Sequence, residues 1–453
     1  MHRTIRALGA AAALLAPMTG AAADAAEPPS DDLGATLQAY AAAHPHAAIV
    51  GAIVDAGATR TGGATGAEAP VRTVDERTRF QIGSVTKTFT ATLLAQMVLD
   101  HEVSLDDPIQ DDLPAGVTAP SYRGTPITLG SIAEQRSGLP RLPPNLVPRD
   151  ASNPYLGYTA ADLYDALRHQ TLTRAPGSQY EYSNFGYLLL GQLLANRAHA
   201  TYAKLVETRI LRPLHMDDTV VPATPAGHAA LVPGYASDGS PQPAWDFGEL
   251  GGVGAVESDL HDMVIFANAN LAAPAGPLGP AMALAQQPRA ATDANSPLRI
   301  GLAWMTNPNT GITIHNGQTG GYHAVVTFDR TRRRAVVVLA NVADEAVDLL
   351  ALHLLVPNLV PAPAYPPAQS EASPYAGVYR FSPAFAITVF KRGGTLYAQA
   401  TGQSALVLAP LSGRTFAVQG VDAQITFDAD AHGVATGLTL HQNGLDQHAN
   451  KAP

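Results

Sequence analysis

Ser84 and Lys87 stand three residues apart in the stretch QIGSVTKTFT, Gln81 to Thr90. At the start of a helix that spacing turns both side chains to one face. A serine hydroxyl is a weak nucleophile until a neighbour removes its proton. A desolvated lysine can do this because its pKa moves readily, whereas arginine stays charged. The chain has only four lysines among its 28 Lys and Arg residues, so lysine at this position runs against a strong preference for arginine. The helix dipole would also favour negative charge developing at Ser84. Taken alone, Ser-x-x-Lys is a short pattern that chance supplies often.

Two further clusters carry chemistry. In EYSNFGYLLLG, Glu181 to Gly191, Tyr182 and Asn184 precede an apolar helical run. A tyrosine beside a lysine can lose its proton near neutral pH, and an asparagine amide can orient a substrate. In isolation Tyr-Ser-Asn is a helix N-cap with a packed aromatic. In TIHNGQTGGYH, Thr313 to His323, His315, Asn316 and Gly317 lie between two late strands and would line a strand edge. The glycine there allows close backbone approach to a ligand. In isolation, a histidine before a glycine-rich turn is more often structural.

The elements that must position these residues follow from pattern. Ala47 to Arg60 is short-range β-branched and reads as a strand. Ser84 to Leu99 reads as a helix with Phe89, Leu93, Leu94 and Met97 facing the core. Helical patterns recur at 160–170, 187–200 and 258–271, and again in DEAVDLLALHLLVP from Asp344. Strands are expected at 301–307, 324–330 and 335–341, the last two strongly β-branched. Long Pro/Gly-rich loops, Ser137 to Pro154 and Val232 to Gly254, are placed to wall a pocket. Strands from both ends of this region with helices between them predict an α/β or α+β domain: an antiparallel sheet, flanking helices and an all-helical lobe. A Pro-rich linker at 361–372 then leads to a change of texture. Residues 373–453 alternate apolar and polar positions between Gly and Asp bends, which predicts a small antiparallel β-barrel domain.

Composition sets outer bounds. With 453 residues, 46% hydrophobic and 15% charged, the chain fits a globular protein of more than one domain. A formal net charge of −10 offers no basic footprint for nucleic acid. The absence of cysteine excludes thiol nucleophiles, thiolate metal sites and disulfides. His101-Glu102 lacks the second histidine of a zinc-hydrolase helix, and no Gly-x-Ser-x-Gly elbow of an α/β-hydrolase occurs. At the N-terminus, His2, Arg3 and Arg6 precede the apolar run Ala7 to Leu15 and then Ala21-Ala22-Ala23. That is the pattern of a secretory signal peptide, residues 1–23, cleaved after Ala23 with Ala25 as the next choice. The expectation is a periplasmic or secreted protein with no membrane span. Residues 24–360 would then be the catalytic domain.

Ser84-x-x-Lys87, Tyr182-x-Asn184 and His315-x-Gly317, in that order, resemble the serine β-lactamase and penicillin-binding-protein superfamily. Similar flanks occur at 103–114, 127–143 and 254–269, and the resemblance covers about residues 30–355. It points to the branch of class C β-lactamases, D-alanyl-D-alanine carboxypeptidases and family VIII esterases. The last domain resembles the lipocalin-like β-domain appended to some of these hydrolases. The resemblance implies acylation of Ser84, a general base shared between Lys87 and Tyr182, and substrate-amide binding by Asn184. It implies an oxyanion hole formed by the backbone N–H groups of Ser84 and Gln318, and neither metal nor organic cofactor. The implied partner is a small-molecule or peptide substrate, peptidoglycan-derived or a β-lactam. One departure stands out: His315-Asn316-Gly317 replaces the family's common Lys-Thr-Gly, and histidine is only partly charged at neutral pH. This favours an ester, amide or D-amino-acid peptide over efficient β-lactam hydrolysis. The alternatives are a class C-like β-lactamase and a non-catalytic penicillin- or peptidoglycan-binding relative.

Overall fold

The computed structural model describes residues 32–224, 228, 231–293, 296–358, 360, 373–382, 385–392, 394–400, 405–418, 423–431, 433–442 and 445–452. The expected signal segment 1–23 and linker 361–372 lie outside the described residues. Among the described residues no helix is long and apolar enough to cross a membrane.

The chain begins with helix α1 (Leu33–Ala43), capped by Asp32, whose carboxylate accepts from the Ala35 N–H at 3.0 Å. The stretch expected as one strand is a hairpin of β1 (Ala48–Asp55) and β2 (Ala58–Thr65). Ala56 and Gly57 both take positive φ, 49° and 96°, which matches a tight two-residue turn to the right-handed twist of the strands. Three two-residue strands follow late in the chain: β3 (Ala290–Ala291), β4 (Arg299–Ile300) and β5 (Met305–Thr306). The strand expected over 301–307 therefore shrinks to β5. Ala303 adopts φ 65° beside the buried Trp304, which interrupts the extended backbone. Then come β6 (Ile312–Gln318), β7 (His323–Asp329) and β8 (Arg334–Ala340). The eight strands form one sheet in the order β2-β1-β8-β7-β6-β5-β4-β3, with every pair antiparallel.

Side-chain alternation sends each strand into two cores. Ile49, Ile53, Val336 and Val338 face α1 and the late helix α5 (Ala346–Leu355). Val50, Val54, Val337 and Leu339 face the other side, where α4 (Leu260–Ala272) covers the sheet and α2 (Thr86–Leu99) packs against α4. Helix α3 (Asn184–Arg197) packs with α2 in this second core, together with the short helices Leu129–Ala133, Ala160–Arg168 and Tyr202–Val206. The core-facing residues expected on α2, Phe89, Leu93, Leu94 and Met97, are all 0% exposed. Its threonines and Lys87 are buried as well, so α2 is a central helix with apolar contacts all round.

Phe89 stacks on Phe266 of α4 with ring centroids 4.1 Å apart. Truncating a fully buried phenylalanine leaves a cavity and costs about 3–5 kcal/mol. Phe89→Ala is therefore expected to lower the unfolding free energy of this body by that amount, read in urea as a lower midpoint with little change in the transition's slope. A loss below about 1 kcal/mol would contradict the packing of α2 on α4.

The remaining residues form a closed antiparallel barrel of eight strands running from Gly377–Ser382 to Leu445–Lys451, the first pairing with the last. Tyr379, Ile387, Val389, Ile425, Phe427 and Leu438 fill it. The expected hairpin near Gly394 joins Phe385–Arg392 to Thr395–Ala400, with Gly394 at φ 78°.

Candidate active site

Ser84 does not sit on the first turn of an α-helix but on a 3-10 turn, Gly83–Val85, that runs directly into α2. The short strand Arg79–Gln81, paired with Glu257–Asp259, delivers the chain to that turn. Gly83 takes φ 48°, and a Cβ there would lie 2.6 Å from the Gln318 backbone nitrogen. Across the same seam, a Cβ on Gly317 would lie 2.1 Å from the Ile82 carbonyl oxygen and 2.6 Å from the Ser84 nitrogen. Two glycines thus let the nucleophile turn and the end of β6 touch through their backbones. The seam brings together the Ser84 and Gln318 amides.

Two side chains converge on Ser84. Lys87 Nζ donates to Ser84 Oγ at 2.8 Å and to the Val253 carbonyl oxygen at 2.8 Å. Tyr182 donates its hydroxyl proton to the same Oγ at 2.7 Å. Lys87 is 0% exposed, and its Nζ lies 5.0 Å from the Tyr182 ring centroid and 5.6 Å from that of Tyr187. Burial, and then the charge of Arg141, hold its pKa well below that of an ordinary lysine. Burial also pushes the Tyr182 phenol up to about 12, against the lowering effects of the Ser84 bond and Arg141. The amine is therefore the group poised to be neutral, and the phenol keeps its proton. In the neutral amine the 2.8 Å contact reverses, with Ser84 Oγ–H donating to the nitrogen lone pair.

The Tyr-Ser-Asn stretch is both an N-cap and part of the site. Ser183 Oγ caps α3 by accepting from the Gly186 N–H at 2.9 Å, which places Tyr182 just before the helix and Asn184 at its first residue. The helix starts three residues earlier than its apolar run predicts, because the cap rather than the run sets the boundary. Asn184 Nδ2 donates to the Tyr155 hydroxyl at 3.0 Å. Its Oδ1 is buried without a hydrogen-bond partner. A buried acceptor left open on a cavity wall suits a ligand N–H.

The third cluster lies within β6 rather than beside a strand. β5 pairs only with Thr313 and Ile314, so from His315 onward that side of β6 is an edge facing the nucleophile turn. Strand alternation then separates the cluster. His315 turns into the layer beneath α2, against Trp304 at 6.4 Å between ring centroids, and does not line the cavity. Burial, reinforced by Lys87, lowers its pKa to about 3, so it is neutral rather than partly charged. Asn316 turns the other way and donates from Nδ2 to Asp348 Oδ2 at 2.6 Å. Asp348 Oδ1 meets His323 Nε2 at 2.7 Å, and His323 Nδ1 meets Gln318 Oε1 at 2.9 Å. Oxygens at both ring nitrogens are the partners an imidazolium needs. Burial opposes charging His323, but Asp348 outweighs it and raises the pKa. Helix α5 thereby anchors both Asn316 and the Gln318 end of β6.

A cavity of about 390 Å³ opens over Ser84. Tyr182, Asn184, Asn316, Gly317 and Gln318 line it, while Lys87 lies behind the wall. The two long loops contribute Arg141 from one side and Ala236, Ser237 and Trp245 from the other. Gln81 fixes Trp245 by bonding both its N–H and its carbonyl oxygen, at 3.0 and 2.9 Å. Sequence reasoning missed Arg141, Trp245, Tyr155, His323 and Asp348. Of these, His323 ends the quoted glycine-rich stretch, but nothing in that stretch announces its partner on α5.

Among the described residues, the one group close enough to share a metal ion is Asp259, His261 and Asp262, outside this cavity. Asp259 caps α4 through the Asp262 N–H at 2.8 Å, and Asp262 accepts from Asp218 N and Thr219 Oγ1 at 2.9 and 2.8 Å. These carboxylates are used in holding the helix start.

Several known proteins are similar to this chain. A D-alanyl-D-alanine-carboxypeptidase/endopeptidase, AmpH of Escherichia coli K12, is 38% identical over 146 residues, 32% of this chain and 37% of that protein. The match thus spans little more than a third of that relative's length. A human protein named beta-lactamase-like 1 is 27% identical over 410 residues, 83% of this chain and 78% of the relative. Among solved structures, a Yersinia pestis beta-lactamase/D-alanine carboxypeptidase superposes with TM-score 0.58 at 23% identity, covering 67% of this chain and 89% of that one. A class C beta lactamase from Rhodobacter sphaeroides gives TM-score 0.59 at 21% identity, covering 72% and 98%. These two likenesses share the fold. Residues 361–451, which include the barrel, match a domain of unknown function, DUF3471. Residues 33–358, the sheet with its helices and all of the site, match the Beta-lactamase family, and the chain belongs to that family.

Proposed function

We propose that this protein is a serine hydrolase that works through an acyl-enzyme on Ser84. The convergence of Lys87 Nζ and Tyr182 OH on Ser84 Oγ, at 2.8 and 2.7 Å in an open cavity, carries the reading. Neutral Lys87 takes the Ser84 proton as Oγ attacks the substrate carbonyl. The tetrahedral oxyanion is received by the Ser84 and Gln318 N–H groups. The proton then passes to the leaving group, with Tyr182 as the relay beside Oγ, and the carbonyl re-forms as the acyl-enzyme. Water, deprotonated by the same groups, releases the acid and restores Ser84. Asn184 holds the substrate amide through its open Oδ1.

The substrate is read as an ester, amide or D-amino-acid peptide, in line with the carboxypeptidase named among the relatives. Neutral His315 behind the wall supports that choice over efficient β-lactam hydrolysis, since the strand position where the family commonly has the lysine of Lys-Thr-Gly carries no cation here. Action in the periplasm or outside the cell is proposed from residues 1–23.

A fluorophosphonate probe is expected to add one label per chain, on Ser84, and Ser84→Ala to abolish it. Peptide mapping that finds the label elsewhere, or a labelled Ser84→Ala protein, would reject the assignment. Side by side, D-alanyl-D-alanine peptides or p-nitrophenyl esters are expected to turn over faster than a chromogenic cephalosporin.

A further inference from the structure

We propose that Arg141 is the receptor for a carboxylate on the substrate, so that the pocket selects acyl donors carrying a free anionic group close to the reacting carbonyl. The proposal rests on the acyl-enzyme reading and adds to it the charge of the substrate.

Arg141 lines the same cavity as Ser84. Its carbonyl oxygen accepts from the Asn184 and Phe185 N–H groups at 2.8 and 3.2 Å, which ties its backbone to the first turn of α3. The guanidinium carbon lies 5.3 Å from the centroid of the Tyr182 ring. The guanidinium thus sits over the ring whose hydroxyl touches Ser84. Among the described residues no carboxylate lies within 4.0 Å of this guanidinium, and no acceptor takes a hydrogen bond from it. Several arginines elsewhere in the fold are answered, among them Arg136 by Glu134, Arg209 by Glu102 and Arg334 by Asp55. Glu345 of the same wall acts on it electrostatically but makes no ion-pair contact, so the guanidinium stays a planar, permanently cationic fork that matches a carboxylate.

The rest of the wall leaves the role to Arg141. His323 is committed to Asp348 and Gln318. Glu345, just before α5, has the wrong sign and would repel an anion from the α5 side. Lys87 and His315 lie behind the wall. A substrate carboxylate is thus drawn toward the Tyr182 side of the cavity.

Arg141 also acts electrostatically on Lys87 and Tyr182, so the test must separate substrate binding from tuning of the base. Full-length wild type, Arg141→Ala and Arg141→Lys are assayed on two matched pairs. One pair carries the carboxylate on the leaving side: an acyl-D-alanyl-D-alanine against its C-terminal amide. The other carries it on the acyl side: p-nitrophenyl hydrogen succinate against p-nitrophenyl butyrate. In at least one pair wild type is expected to prefer the carboxylate, and Arg141→Ala to cut that preference by about 30-fold, chiefly through KM, as loss of a charged hydrogen-bonding partner does. Arg141→Lys keeps the charge without the fork and falls between. The proposal is overturned if wild type shows no carboxylate preference in either pair. It is equally overturned if Arg141→Ala slows both members of each pair alike, which would make Arg141 a tuner of the base. Failure of the acyl-enzyme reading shows separately, as absence of fluorophosphonate label on Ser84.

Discussion

Lys87→Arg is expected to lower the rate of Ser84 acylation by about 10³-fold, within the range that loss of a general base produces. Arginine keeps a positive charge and could still donate to Ser84 Oγ and the Val253 carbonyl, but it cannot accept a proton. Lys87→Met removes the charge and the base together at similar length, in a site that is 0% exposed, and is expected to be equally slow. Agreement between the two isolates proton transfer from charge. The pH profile gives the sign. Burial destabilises the ammonium, so Lys87 is neutral at pH values above its lowered pKa, and the acidic limb of kcat/KM lies well below the usual lysine value of 10.5. Tyr182 titrates in the opposite direction, at about 12, so its deprotonation does not shape the profile near neutrality. Stopped-flow acylation with a chromogenic ester across pH measures both. A Lys87→Arg protein acylating within about tenfold of wild type would remove Lys87 as the base.

How much of this was legible in the residues depends on the distance over which each is determined. Ser84 and Lys87 were readable because a short local spacing puts them on one face, and local geometry is what a pattern encodes. The hairpin at Ala56-Gly57 was missed because a continuous apolar run leads into it and Ala56 carries no turn chemistry, although Asp55 and Gly57 on either side do. His315 shows a different limit. Its place in β6 was nearly right, yet whether it faces the pocket depends on one step of alternation, and a single step exchanges the cavity for the buried layer. Arg141 and Asp348 were invisible for a third reason. Arg141 meets Tyr182 41 residues further on, and Asp348 meets His323 and Asn316, 25 and 32 residues back, and nothing in any of these stretches announces the others. The fold class was the most legible feature, because β-branched strands from both ends of a helical region leave few other ways to build a sheet.

Gly317→Ala tests the seam on which the oxyanion hole is proposed, and it is expected to reduce acylation by 10²-fold or more. A Cβ at this position meets three backbone atoms, the Ile82 oxygen at 2.1 Å and the Ser84 and Val85 nitrogens at 2.6 Å. Ordinary contacts begin near 3.4 Å, so β6 and the nucleophile turn must part by more than an ångström. Neither side can yield by rotating a side chain, because both are main chain. Separation moves the Gln318 amide away from the Ser84 amide, and the loss of one oxyanion donor costs about 10²–10³ in kcat. An ångström of misplacement at a reacting centre is of similar weight. The Lys87–Ser84–Tyr182 contacts lie within and beside α2, on the near side of the seam, and need not change. The variant should therefore keep its Ser84 proton transfer and lose transition-state stabilisation, so kcat falls while the acidic limb of the pH profile stays in place. That combination distinguishes it from Lys87→Arg, which loses the limb itself. Wild-type kcat in Gly317→Ala, with the substitution verified by mass, would show that the amides across this seam do not hold the oxyanion.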